Sequence, residues 1–241
     1  MRNITTITSA KGGVGKSTLA VVLGGMLARN SNKKILLVDA NAGLRSLNFL
    51  LDLDGEIKFD ASDVIKGKCQ PKEAILSSKK YKNLFLLIAP LEFEFALSSS
   101  VFIQLMFLFS KNFDYIFIDC PFNVGKIFES VIATSNKLIA VTTTEPESVS
   151  NTKKIRQRLL KIKPEIITRL VINKFSRERF LRFKFFDDLD QVVDATGFQL
   201  MGIIPQDELI FFGMTKGLGF PSLGLPFEAL KKMSARFETL V

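Results

Sequence analysis

The stretch "SAKGGVGKST" (Ser9–Thr18) sets two lysines, Lys11 and Lys16, around glycines at 12, 13 and 15. It follows a β-branched apolar run and opens a segment with helical character, which is the context a phosphate-binding loop requires. In that context the backbone N–H groups of Gly12, Gly13, Val14, Gly15, Lys16 and Ser17 point into one concavity at a helix N-terminus. There the unpaired N–H groups and the helix dipole favour an anion. The glycines permit the close approach and the unusual dihedrals. Lys16 is then placed for the β and γ phosphates, the Ser17 hydroxyl for Mg²⁺, and Thr18 for the α phosphate. The competing description is a glycine-rich turn that happens to carry a lysine. The order strand, loop, helix argues against it.

Mg²⁺ bound to a nucleotide keeps several waters, which nearby carboxylates hold. Two acids end apolar runs: Asp119 in "YIFIDCP", which fits a Walker B role, and Asp39 in "ILLVDAN". Together with Ser17 they are the candidate metal residues, although each also fits a plain strand-terminating Asp. Asn173 ends a later run, "RLVIN". The chain has no histidine and two cysteines, Cys69 and Cys120, a composition that argues against zinc and against histidine acid–base chemistry.

The elements that must position these groups alternate along the whole chain. Short aliphatic and β-branched runs at 3–9, 34–39, 84–89, 115–119, 138–143, 169–173 and 200–205 read as strands. Several are apolar on both faces, as parallel strands covered on each side are. Between them, 16–29, 98–111, 126–135, 148–161, 187–195 and 226–239 read as helices. The alternation predicts an α/β fold: a doubly wound, mostly parallel sheet of about seven strands with helices on both faces, in a single domain over 1–241. In such a sheet ligands sit beyond the carboxyl ends of the strands, and the glycine loop, Asp39, Asp119 and Asn173 all fall there.

The 241 residues carry a formal charge of +9, unevenly. Between Lys153 and Lys184 twelve Lys/Arg stand against two Glu, a net of +10. That segment suits nucleic acid or an anionic membrane, and it equally suits a solvated helix face. Within it, "FSRERFLRFKFF" (Phe175–Phe186) is both basic and Phe-rich; the alternative there is a core-packing helix with a solvated arginine side. The start of the chain lacks the apolar core of a signal peptide, and the longest apolar run, Val101–Phe109, is far short of the roughly 20 residues a membrane span needs. The expectation is a cytoplasmic protein, peripheral at the inner face of a membrane if the basic segment binds lipid.

"KGGVGKST" is similar to the deviant Walker A motif of the MinD/ParA family of P-loop ATPases. "VDANAGLRSLNFLL" resembles that family's "DxDxGLRNLDLxLG" segment, and "DASDVIKGKCQPKEAI" resembles the stretch that follows in its MinD branch. "IDCPFNVG", "TTTEPESVSNTKKI" and "MGIIPQDELIFFGMTKGLGF" resemble further family segments. The likeness runs from Ile4 to about Phe227 and favours the MinD branch over the ParA branch.

The resemblance implies ATP with Mg²⁺, ATP hydrolysis and a homodimer in the ATP state. Lys11 resembles the signature lysine that reaches across the dimer to the partner's phosphates; the alternative is a helper for its own ATP. Asn173 is implied to hydrogen-bond adenine, with Pro205–Asp207 beside the base. The second Asp of the family's "DxD", which orients the attacking water, is Asn41 here. An amide can hold a water but has no charge with which to polarise it, so slow turnover is expected, with Lys11, Lys16 and Asn41 as the catalytic set. At Pro121–Gly125 "PFNVG" departs from the family's "PAGIE" switch. The implied function is a switch that recruits a regulatory protein and acts in positioning a division septum or a related polar structure. Alternatives are a partition-type ATPase that binds DNA non-specifically and a nucleotide-gated scaffold with no useful turnover.

Overall fold

The computed structural model describes residues 3–41, 45–88, 99–120, 126–215, 220 and 223–240. In chain order the elements begin with β1 (Ile4–Ser9), α1 (Lys16–Ser31), β2 (Ile35–Asp39), α2 (Ser46–Leu51), α3 (Ala61–Ile65), β3 (Ile75–Ser77) and β4 (Leu84–Leu87). The middle of the chain supplies α4 (Ser99–Phe109), β5 (Tyr115–Asp119), α5 (Lys126–Thr134), β6 (Lys137–Thr142) and α6 (Pro146–Ile162). It finishes with β7 (Ile167–Phe175), α7 (Arg177–Phe183), α8 (Leu189–Thr196), β8 (Leu200–Pro205), α9 (Glu208–Thr215) and α10 (Leu225–Glu238).

The strands form one sheet in the order β3-β4-β2-β5-β1-β6-β7-β8. Every pairing is parallel except β3 with β4, where Ile75 lies opposite Leu87. β1 lies between β5 and β6, with β2 to β5 on one side and β6 to β8 on the other. The winding therefore reverses at β1, which opens the crevice in which ligands of such sheets bind.

Alternation along each strand builds two cores. Ile35 and Leu37 face one way, against α1 and α10, while Leu36 and Val38 face the other, against α4 and α5. This is why the strand runs are apolar throughout: both faces are covered.

The doubly wound, mostly parallel sheet is as expected, with eight strands among the described residues against an expectation of about seven. The added strand, β3, is three half-buried or exposed residues at the sheet edge after a 3₁₀ turn (Pro71–Ala74), too short to leave a period-2 signature. The short helices α2, α3, α7 and α9 were likewise not expected as elements. The six expected helices are present with shifted ends. Pro146 starts α6 two residues early, since proline is pre-set for the first helical position. Asp188 caps α8, accepting from the Gln191 N–H (2.8 Å), so that helix starts later than 187. Pro121–Gly125 and the 89–98 end of the strand and helix runs lie outside the described residues.

Candidate functional site

The loop between β1 and α1 turns on two glycines in the left-handed region, Gly13 (φ 73°) and Gly15 (φ 93°). Gly15 occupies the cap position of α1, where no side chain accepts from the first turn and no acidic residue lies in it. The N–H donors that a helix start leaves unpaired are thus not consumed by a capping side chain or offset by an acid. From behind, β7 holds the loop's carbonyls: Asn173 Nδ2 donates to the Val14 carbonyl (2.7 Å) and Lys174 Nζ to the Gly13 carbonyl (2.7 Å). A Cβ on Gly15 would sit 2.2 Å from Asn173 Nδ2, so glycine is needed there for space as well as for φ.

Beneath the loop two carboxylates stand side by side, Asp39 at the end of β2 paired in register with Asp119 at the end of β5. Asp119 is fully buried. Its Oδ1 accepts from Lys16 Nζ and its Oδ2 from the Ser17 hydroxyl (2.6 Å). Asp39 is 3% exposed and accepts the N–H groups of Asn41 (2.8 Å) and Leu47 (3.4 Å). Burial, and then the neighbouring Asp119, push the Asp39 carboxyl up to about 6 against those hydrogen bonds. Burial also pushes the adjacent Cys120 thiol up to about 12, which leaves it unsuited to thiolate chemistry.

Lys11 turns away from these acids. Its Nζ donates to Glu145 Oε2 (2.9 Å) and lies 3.2 Å from Glu147 Oε2, both at the start of α6. The hydrogen bond to Glu145, and then that to Glu147, raise the Lys11 ammonium above its usual range, and Lys11 lowers the Glu145 carboxyl in turn. The contact is half-exposed.

A cavity of about 1350 Å³ spans the loop, lined by Gly12, Gly13, Val14, Gly15, Lys16, Ser17 and Thr18, and also by Lys11, Asn41, Asn173, Pro205 and Asp207. Its lining also includes the apolar side chains of Val22, Leu50, Ile210 and Phe220. The fold thus gathers most of the sequence-predicted residues around one space, while Asp119 is buried behind its lining, joined to it through Lys16 and Ser17, with Asp39 beside Asp119. Asn173 serves two surfaces, since its amide nitrogen clasps the loop while the residue also faces the cavity.

Three residues carry contacts that sequence reasoning did not assign. Lys174 follows Asn173 and adopts φ 54°, a conformation with no local signature in "INKF". Glu145 lies in "TTTEPESVS", which carried a family resemblance but no role. Arg45 lies in "GLRSLN" and reaches Asp60 (2.9 Å) at the cavity wall. Its pairing with an acid fifteen positions away is invisible to a local reading.

Residues 1–172 match the family model described as an AAA domain. The chain is 32% identical over 242 residues to the septum site-determining protein MinD of Synechocystis sp., covering 99% of this chain and 90% of that one. Among solved structures, the MinC:MinD cell division protein complex of Aquifex aeolicus matches with a TM-score of 0.87 at 26% identity, over 99% of this chain and 96% of that one. The Pyrococcus horikoshii MinD complexed with Mg-ADP shares the fold, with a TM-score of 0.85 at 22% identity, over 100% and 97% of the two chains. On the family model and on these likenesses over nearly the whole chain, the chain belongs to the MinD/ParA family of P-loop ATPases.

Proposed function

We propose that this chain is an ATP-dependent switch: it binds ATP with Mg²⁺, pairs with a second copy in that state, and acts with a regulatory protein in positioning the division septum or a related polar structure. The observation that carries the reading is the convergence of Lys16 and Ser17 on one fully buried carboxylate, Asp119, at the crevice where the winding reverses. A buried carboxylate with a lysine and a hydroxyl from a glycine loop suits a ligand that brings both negative charge and a cation.

The residues present fit that pair. The clasped loop offers N–H groups from Gly12 to Ser17 to the phosphates, and Lys16 exchanges its partner Asp119 for phosphate oxygens. That exchange frees Asp119, which with Ser17 and Asp39 forms an all-oxygen donor set of the kind Mg²⁺ takes. When bound, Mg²⁺ neutralises phosphate charge and orients the terminal phosphoryl group. Thr18 lies further along α1 for the α phosphate. Asn173, with its amide nitrogen committed to Val14, offers its oxygen to adenine, and Pro205 and Asp207 flank the base.

Asn41 fills the place of the water-orienting acid. It can hold a water by hydrogen bonding but cannot accept its proton, so hydrolysis is slowed on the order of 10²-fold and the ATP-bound dimer is long-lived. The scaffold reading is the limit of the same substitution, with turnover too slow to matter.

Lys11 is the residue each copy lends the other. Its ion pair with Glu145 and Glu147 turns its ammonium toward the start of α6, where a partner's phosphates can take it over. Those contacts are half-exposed and therefore weak, so exchange for a triphosphate is downhill. The neighbour solved as a MinC:MinD complex supports a regulatory protein as partner. The test is molecular mass in solution with ADP and with ATP·Mg²⁺. We expect a doubling with ATP that Lys11→Ala abolishes while nucleotide binding persists. An ATP-bound chain that stays a monomer sinks the switch.

A further inference from the structure

The basic segment of the sequence divides in two in the fold. On α6 and at its C-cap several cations are engaged within the chain: Arg158 pairs with Glu129 (2.6 Å), Arg156 donates to the Gly197 carbonyl (3.1 Å), and Lys163, the C-cap, to the Ser135 carbonyl (2.7 Å). The segment around α7 is different. This helix buries none of its residues. It starts at Ser176, whose hydroxyl accepts from the Arg179 N–H (3.3 Å), and it ends at Lys184 in the left-handed region (φ 44°). That reversal brings Phe185 back beside Phe183, and the two rings stack at 5.7 Å with 11° between planes.

Leu181, Phe183 and Phe185 are 54%, 51% and 58% exposed, while Phe180 and Phe186 pack inward and root the segment in the core. An apolar tip held out in water and ringed by cations is costly unless something covers it.

We propose that α7 and the turn after it form a docking finger for an anionic membrane surface. Leu181, Phe183 and Phe185 enter the boundary between headgroups and acyl chains, and Arg177, Arg182 and Lys184 contact lipid phosphates. The composition is that of an interfacial helix, with aromatic and aliphatic side chains beside arginines whose stems can lie along the boundary. Lys174 holds the Gly13 carbonyl and Arg179 lies 3.9 Å from Glu145; the other three cations of the segment, Arg177, Arg182 and Lys184, stand against one Glu, Glu178, which complements an anionic surface.

Nucleic acid fits less well. Leu181 offers no ring for a base to stack on, and the two phenylalanines stack on each other instead of standing apart as platforms. The inference does not rest on the nucleotide reading, because the finger is formed in the free chain.

The chain has no tryptophan, so Phe185→Trp places a single reporter in the tip. Without nucleotide, its emission should shift to the blue on vesicles of phosphatidylcholine mixed with phosphatidylglycerol and stay unchanged on phosphatidylcholine alone. Binding should weaken with salt. Replacing Arg177→Gln together with Arg182→Gln should lower the partition coefficient about 25-fold, about fivefold for each cation removed. Leu181→Ser with Phe183→Ser should remove the shift while leaving the unfolding midpoint near that of the parent, since neither side chain is in the core. No shift on anionic vesicles, or a shift indifferent to these substitutions, overturns the proposal. So does salt-sensitive binding of arbitrary duplex DNA that needs the same arginines, which would assign the finger to nucleic acid. Because ATP is absent from the assay, neither failure bears on the switch.

Discussion

At the scale of single residues, the site is defined by charges that have no water around them. Asp39 is buried beside Asp119, and its carboxyl titrates near 6 where a free one titrates at 3.8. Between those values the folded chain binds more protons than the unfolded chain, so stability falls as pH rises through that window and levels off above it. The loss is on the order of 3 kcal/mol, since each tenfold preference for the proton is about 1.4 kcal/mol. Urea unfolding of the nucleotide-free chain from about pH 4.5 to about 7.5, across the titration, should show this decline. Asp39→Asn should flatten it and stabilise the protein at neutral pH. A parallel decline in both proteins would mean that the proton sits elsewhere. The burial that produces the penalty also gives the carboxylate a use, because a cation at this position would relieve it.

At the scale of elements, the loop is held by a strand that enters the chain far later. Asn173 and Lys174 on β7 take the Val14 and Gly13 carbonyls across 159 and 161 positions. Gly15 cannot carry a side chain without displacing Asn173. Gly15→Ala should therefore cost about 1–3 kcal/mol for the left-handed backbone alone, visible in urea unfolding, and should weaken nucleotide binding further as the Asn173 clasp opens. A stable Gly15→Ala protein with parental nucleotide affinity would show that the clasp is incidental. The same strand feeds α7, and Glu145 connects the two: it binds Lys11 of the loop and lies 3.9 Å from Arg179 of the finger.

At the scale of the whole molecule, the proposed switch turns on how long an ATP-bound pair would persist. If position 41 orients the attacking water as proposed, Asn41→Asp should raise single-turnover phosphate release about 10²-fold and shorten the life of the proposed dimer in step. If release does not rise, the scaffold reading stands in place of a slow enzyme. The fold that sets this clock was largely legible: strands apolar on both faces and helices between them follow from local periodicity, and the glycine loop from its own residues. The edge strand β3 and the helices α2, α3, α7 and α9 were not, because elements of three to eight residues carry too few repeats of either period to stand out.

The amino-acid order alone determined that a phosphate loop opens the first helix of a doubly wound sheet, and that acids end the strands beside it, since these are properties of neighbouring residues. Only the tertiary structure decided which groups meet. Lys16 and Ser17 reach Asp119 from 103 and 102 positions away, Lys11 finds Glu145 at 134, and Phe185 folds back onto Phe183 of α7 in an exposed tip. Pairings of that kind leave no mark in local sequence, because the order of strands in the sheet sets them and not the order of residues along the chain.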